Sequence, residues 1–333
     1  MKGAARKPIG LLVMAYGTPQ SAEDIERYYT DIRGGRAPTP ALIADLRRRY
    51  DAIGNRFPLL EVTRGQAEGL ARALNRAGDR AGTFRAYVGM KHAPPFIGDA
   101  VAGMREDGIE RAVGIVMAPH WSAMSVENYI DRVQASSTGQ TEGPSFTFVR
   151  QWYDHPRFVR YLGSRVLEAL DGLEPERAEA AAVVFSAHSL PTRTDGRGNA
   201  RCLRCDVCPR SCRYVEQLRQ TADLVAASAR VPSYLTAWQS AGHTPQPWWG
   251  PSLEDVIPKL AADGHTAAVV CACGFTADHL ETLYDLDVEA RTAAEEAGIG
   301  FARTEMPNAD PSFVDVLAAV VRDHLAREGS RPW

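Results

Sequence analysis

Four cysteines, Cys202, Cys205, Cys208 and Cys212, form a C-x2-C-x2-C-x3-C run inside the polar, Gly- and Arg-rich stretch 193–213. Core packing does not explain thiols so clustered, whereas thiolates gathered this closely bind soft or borderline metals. The spacing is close to the ferredoxin pattern, in which the fourth Cys can serve a second cluster; Zn2+ on four thiolates is the competing occupant. Cys271 and Cys273, two apart in an apolar run, share one strand face and read as packing residues. A second pattern is acidic: Glu281, Asp285 and Glu289 recur every four residues. On an α-helix each such step turns only about 40°, so the carboxylates would form a row about 12 Å long. A solvated acidic face has the same spacing, but this one begins just after a strand-like run. A line of oxygen ligands suits the passage of a divalent cation better than its permanent retention. His188 follows another apolar run, in Ser186-Ala187-His188-Ser189-Leu190-Pro191, and an imidazole there can carry a proton or bind a metal. Tyr16 closes the first apolar run and can stack, donate a hydrogen bond or ligate iron.

These residues need elements that end where they stand. Strand-like runs occupy 9–16, 84–88, 112–117, 145–149, 181–185, 233–237, 267–273 and 300–302. Helical patterns lie between them, including 96–106, 156–170, 214–229 and 253–262, and Ser21 is placed to cap a helix running to about residue 32. Alternation of strand and helix predicts an α/β fold with parallel sheets, which bind ligands at the carboxyl ends of strands. Asp107-Gly108 and Asp263-Gly264 each follow a helical pattern and precede an apolar run. That weak repeat fits either two duplicated halves or any pair of βαβ units.

At 333 residues, the chain has room for about two domains. Its 45% apolar content excludes wholesale disorder, and 41 acidic against 38 basic residues argue against a general nucleic-acid binder. No run approaches the ~20 apolar residues of a membrane span. Residues 1–8 lack a signal-peptide core, so a cytoplasmic protein is expected. Dinucleotide, P-loop and nucleophile-elbow motifs are absent.

Over about residues 9–325 the sequence resembles the ferrochelatases, which insert ferrous iron into porphyrins. The resemblance rests on Met14-Ala15-Tyr16-Gly17-Thr18-Pro19, Ala118-Pro119-His120, the segment 186–191, Trp238-Gln239-Ser240, Gly274-Phe275 with Asp278-His279-Leu280-Glu281, and Met306-Pro307-Asn308-Ala309. The opening and the stretch 24–36 are most similar to the coproporphyrin enzymes of Gram-positive bacteria. The resemblance implies two Rossmann-like halves, 1–155 with 308–333 and 156–307, the C-terminal helix packing back on the first and a porphyrin cleft between them. It implies His188 and Glu281 as the catalytic pair and as part of the Fe2+ relay, with Asp285 and Glu289 continuing the line toward the surface to deliver iron or drain protons. It also implies Tyr16 on the other face of the macrocycle, and Arg33, Arg49 and Tyr129 near porphyrin carboxylates. Lys91-His92 match a further family pair.

Two departures stand out. The loop after Pro191 is lengthened and carries the cysteine run, which similarity to some bacterial ferrochelatases assigns to a [2Fe–2S] cluster, with [4Fe–4S] or zinc as alternatives. The stretch 54–59 places Phe57 where relatives carry a Ser-Pro-Leu sequence associated with a carboxylate contact. The expected reaction is Fe2+ insertion into coproporphyrin III, releasing coproheme and two protons, by a monomer. The alternatives are protoporphyrin IX as substrate, or a cobaltochelatase acting on sirohydrochlorin-type rings. A different class, a haem or metal carrier, would keep the cleft without turnover.

Overall fold

A computed structural model describes residues 7–76, 83–138, 143–194, 200–203, 213–242 and 244–328. The strands are β1 (Ile9–Ala15), β2 (Phe84–Met90), β3 (Arg111–Val116), β4 (Ser145–Val149), β5 (Ala181–His188), β6 (Thr192–Thr194), β7 (Ala200–Cys202), β8 (Tyr234–Gln239), β9 (Ala267–Cys271) and β10 (Gly300–Arg303). The helices are α1 (Ile25–Ile32), α2 (Pro40–Ala52), α3 (Leu59–Arg76), α4 (Ile97–Glu106), α5 (Val126–Ser137), α6 (Pro156–Asp171), α7 (Pro175–Ala178), α8 (Tyr214–Ala229), α9 (Leu253–Ala262), α10 (Leu280–Leu283), α11 (Arg291–Glu296) and α12 (Pro311–Glu328).

Two parallel four-stranded sheets carry the α/β fold, in the orders β2-β1-β3-β4 and β8-β5-β9-β10. The orders are the same: in each sheet the first strand in sequence lies between the second and the third. The weak repeat is thus a repeat of topology. Its Asp-Gly pairs do the same work in both halves. Asp107 and Asp263 cap α4 and α9, and Gly108 and Gly264 follow at positive φ, turning the chain into a central strand. Every residue of β1 is buried, as expected of a parallel strand covered on both faces. One apolar core continues from Val13 and Ile115 of the first sheet to Val183, Phe185 and Val269 of the second. Helix α12 adds Phe313 and Leu317 to that core and packs on both α3 and α6.

Two expectations need correction. Ser21 makes no side-chain cap: a 3-10 turn at Ala22–Asp24 precedes α1. Nor is the acidic row on a regular α-helix, because α10 passes into a π-helix at Asp285–Ala290. In the cysteine stretch, Cys202 is buried at the end of β7, opposite Thr192 of β6. Cys205, Cys208 and Cys212 lie outside the described residues. No helix among the described residues is long and apolar enough to cross a membrane.

Candidate active site

The carboxyl ends of the strands converge on a cavity of about 450 Å³, within the usual range for small-molecule sites. One wall comes from the first sheet: Tyr16 follows β1, Lys91 follows β2, and Met117 follows β3. Register explains their proximity, since Ala15 pairs with Met90 and the Lys91 and His92 amides donate to the Ala15 and Tyr16 carbonyls at 3.0 and 2.9 Å. Gly17 makes the turn possible: its φ is +85°, and a Cβ there would meet the Ala93 amide nitrogen at 2.9 Å. The other wall comes from the second sheet, with His188 ending β5 and the segment from Gly274 to Glu281 following β9.

Glu281 lies between two histidines. His188 Nε2 is 3.5 Å from Glu281 Oε1, and His279 Nε2 is 3.4 Å from Oε2. Each imidazole uses its other nitrogen on a backbone carbonyl: His188 Nδ1 donates to Ser189, and His279 Nδ1 donates to Ala277 at 3.0 Å. Carbonyls only accept, so the Nδ1 protons are fixed. When either ring is neutral, its Nε2 lone pair is bare and directed at the carboxylate. Burial opposes the imidazolium, but the Glu281 charge outweighs it and raises the His188 pKa to about 9. Burial likewise opposes ionisation of Glu281, and the two histidines overcome it, holding the carboxyl well below its usual range. His279 was not singled out from sequence as a site residue. The available signal was a His two residues before a carboxylate at a helix opening.

The acidic row recedes from this pair. A π turn bonds i to i+5, as Glu289 N to Tyr284 O does at 3.0 Å. A four-residue step therefore falls short of one turn, where an α-helix would overshoot it. Asp285 is only 3% exposed and accepts a hydrogen bond from Ser240 Oγ, so it does not belong to a solvated face. Burial, then the Glu281 charge, raises its pKa to about 7. This proton favours the folded state fully below the unfolded carboxyl pKa of 3.8, and the advantage is lost as pH climbs to about 7. Burial also raises Glu289, with Arg49 opposing the shift. Divalent-cation binding to the row is therefore expected to strengthen as pH rises through about 7. Calorimetric titration with Mn2+ at about pH 6 and about pH 8 checks this, and Asp285→Asn is expected to flatten the difference.

On the opposite wall, Lys91 Nζ stands 5.6 Å from the Tyr16 ring centre and 5.2 Å from that of Tyr129. The His92 ring is 4.7 Å from Tyr16, and its Nδ1 is 2.6 Å from Asp31 Oδ1. Burial lowers the His92 pKa to about 4 against the pull of Asp31, so His92 is neutral and donates to that carboxylate.

Of the residues singled out from sequence, Tyr16, Tyr129, His188 and Glu281 line the cavity. Arg33 and Arg49 are not in its lining. Arg49 bonds Asp45 at 3.1 Å and lies over the Tyr284 ring, while the Nε of Arg33 is buried at the end of α1. Cys271 and Cys273 are both fully buried.

The ferrochelatase family model matches residues 8–325. A coproporphyrin III ferrochelatase of Anoxybacillus flavithermus is 45% identical over 326 residues, covering 98% of this chain and 99% of that protein. One from Bacillus subtilis is 45% identical over 324 residues, covering 97% of this chain and 100% of that protein. Among solved structures, SirB from Bacillus subtilis with Fe3+ superposes with a TM-score of 0.57 at 10% identity, covering 98% of each chain, a likeness of fold alone.

Proposed function

The chain belongs to the ferrochelatase family, and we propose that it inserts Fe2+ into coproporphyrin III, releasing coproheme and two protons. The observation that carries this reading is Glu281 held between two imidazole Nε2 atoms, on a cavity whose other wall is Tyr16 and Lys91. The macrocycle lies between these walls. Fe2+, a substrate, passes along Glu289 and Asp285 to Glu281. In the free protein His188 is an imidazolium because Glu281 is ionised beside it. An arriving Fe2+ offsets the Glu281 charge, so the imidazolium proton passes to solvent and the bare Nε2 takes the two pyrrole protons in turn, each passing on to solvent. Two N–H protons leave as one dication enters, so charge balances without electron transfer. A cleft that favours a bent macrocycle turns the nitrogen lone pairs toward the metal and lowers the barrier. Tyr16 lies across the ring from His188. Tyr129 meets a propionate inside the cavity, and Arg33 and Arg49, outside its lining, pair with further propionates, since planar guanidinium groups suit carboxylates.

Incubating the protein anaerobically with Fe2+ and coproporphyrin III is expected to yield a product heavier by one iron and lighter by two protons. Recovery of metal-free porphyrin alone would sink the reading.

The four cysteines take a [2Fe–2S] cluster: donor chemistry and spacing support a metal or Fe–S site, and similarity to some bacterial ferrochelatases supports the cluster type over [4Fe–4S] or zinc. Cys202, at the end of a hairpin strand, is the described member of the set, and Cys205, Cys208 and Cys212 complete four thiolates. Such a cluster would be structural or a redox sensor, since metal insertion involves no net electron transfer. Cys202→Ser is expected to abolish the visible absorption of the cluster and its acid-labile sulfide. A colourless wild-type protein carrying zinc would replace the cluster with a zinc site. We divide the chain into 1–155 with 308–333, and 156–307, and place it in the cytoplasm as a monomer.

A further inference from the structure

Arg303 ends β10, and its side chain is only 15% exposed. Its Nε donates to Asp287 Oδ1 at 2.7 Å and its Nη2 to Asp287 Oδ2 at 2.9 Å, a bidentate fork. The same Nη2 reaches Asp278 Oδ1 at 3.3 Å. Asp278 lies three residues before Glu281, and Asp287 lies between Asp285 and Glu289. One guanidinium therefore grips the acidic segment ahead of its first carboxylate and again within its π turn.

Asp278 is held a second time. Asn308 Oδ1 accepts from the Asp278 amide at 2.8 Å, and Asn308 Nδ2 donates to Asp278 Oδ2 at 2.8 Å. Asn308 has a φ of 45°, a conformation that Asn tolerates better than most residues. Its carbonyl accepts from Gln66 Nε2 at 2.9 Å, and Gln66 also donates to the Thr276 carbonyl at 2.9 Å. Thr276 Oγ1 in turn donates to the Met117 carbonyl at 3.0 Å. The chain of contacts thus runs from the acidic segment to α3 and to the end of β3, in the sheet that carries Tyr16.

We propose that Arg303 is a positioning residue for iron delivery, fixing the spacing of Glu281, Asp285 and Glu289 from outside the cavity. A π turn is a rare conformation, and uncommon backbone persists where its surroundings over-determine it. Arg303 supplies that constraint through Asp287, and Asn308 with Gln66 sets the acidic row relative to the Tyr16 wall. Lysine is a poor substitute, because a point-charge ammonium lacks the fixed fork that meets both Asp287 oxygens and Asp278.

The inference rests on the chelatase reading above, so its test has a part that needs no turnover. In Arg303→Lys and in Asp287→Asn, the Fe2+ KM is expected to rise about tenfold or more, with the coproporphyrin KM changed by less than about twofold. The Kd for Mn2+ in porphyrin-free protein is expected to rise in parallel, while coproporphyrin binding, read from its Soret shift, stays unchanged. Lower thermal stability with an unchanged Fe2+ KM would mean a merely structural role and overturn the proposal. So would iron and porphyrin KM rising together. Should Arg303→Lys fail to fold, Asp287→Asn decides, since its side chain is 32% exposed and its loss leaves Arg303 bonded to Asp278. Should the wild type insert no iron, the chelatase reading fails, and the Mn2+ titration still decides the role of Arg303.

Discussion

Replacing His188 by Ala, or Glu281 by Gln, is expected to slow iron insertion by about 10²- to 10⁴-fold, the range for loss of a positioned acid–base group. Binding of coproporphyrin to either variant is expected to persist, because the cavity walls are built largely from other side chains. The two variants fail for different reasons. His188→Ala removes the Nε2 lone pair proposed to accept a pyrrole proton. Glu281→Gln keeps the shape but removes the charge that supports the imidazolium, so the His188 pKa, about 9 in the intact pair, is expected to fall. Proton NMR titration of the imidazole reads that fall directly, and an unmoved His188 pKa would break the link between the two residues. The pair also stabilises the fold. Because its folded pKa is raised, the His188 contribution is complete below the unfolded value near 6.5 and lost as pH rises through about 9. A protein that only carried porphyrin would bind and release it equally well in both variants.

Gly274→Ala is expected to be nearly as damaging, through packing. A Cβ at Gly274 would stand 2.7 Å from Ala187 Cβ and 2.9 Å from Ala187 Cα. These are atoms of β5 directly before His188, so no side-chain rotation relieves the clash. The Gly274 amide also donates to the Ser186 carbonyl at 3.2 Å, which holds the two segments together. The added methyl must push the Gly274–Glu281 segment away from β5, at a cost of about 1–3 kcal/mol in stability. Glu281 and His188 sit on opposite sides of that contact, and a misplacement of about 1 Å can cost about 10²-fold in rate. Thermal unfolding and insertion assays on the same preparation test both effects. Unchanged stability together with unchanged turnover would show that the close approach does not set the catalytic spacing.

The strand ends were legible in the sequence, and with them most of the site. Tyr16, His188 and the Gly274–Glu281 segment each follow an apolar run stopped by Gly, Pro or a polar residue, and all reach the cavity. The duplicated topology was half legible: the Asp-Gly pairs marked equivalent helix ends, but only the strand orders established the repeat. The π turn was not legible, because Glu281, Asp285 and Glu289 keep the same sequence spacing whether bonds run to i+4 or i+5. The side-chain partners of that turn lie elsewhere in the chain, at Arg303 and Ser240. The role of His279 is illegible for a similar reason, since its Nε2 reaches Glu281 from an extended backbone at residue 279. The positions of Arg33 and Arg49 depend on local partners such as Asp45, which composition and periodicity do not reveal.

The most direct test of the account is anaerobic Fe2+ insertion with coproporphyrin III and protoporphyrin IX compared by kcat/KM on one preparation. Sites that pair polar substrate groups discriminate strongly against analogues lacking them, so coproporphyrin is expected to be favoured by at least about tenfold. Equal use of the two porphyrins, or preference for protoporphyrin IX, would contradict the assignment of substrate.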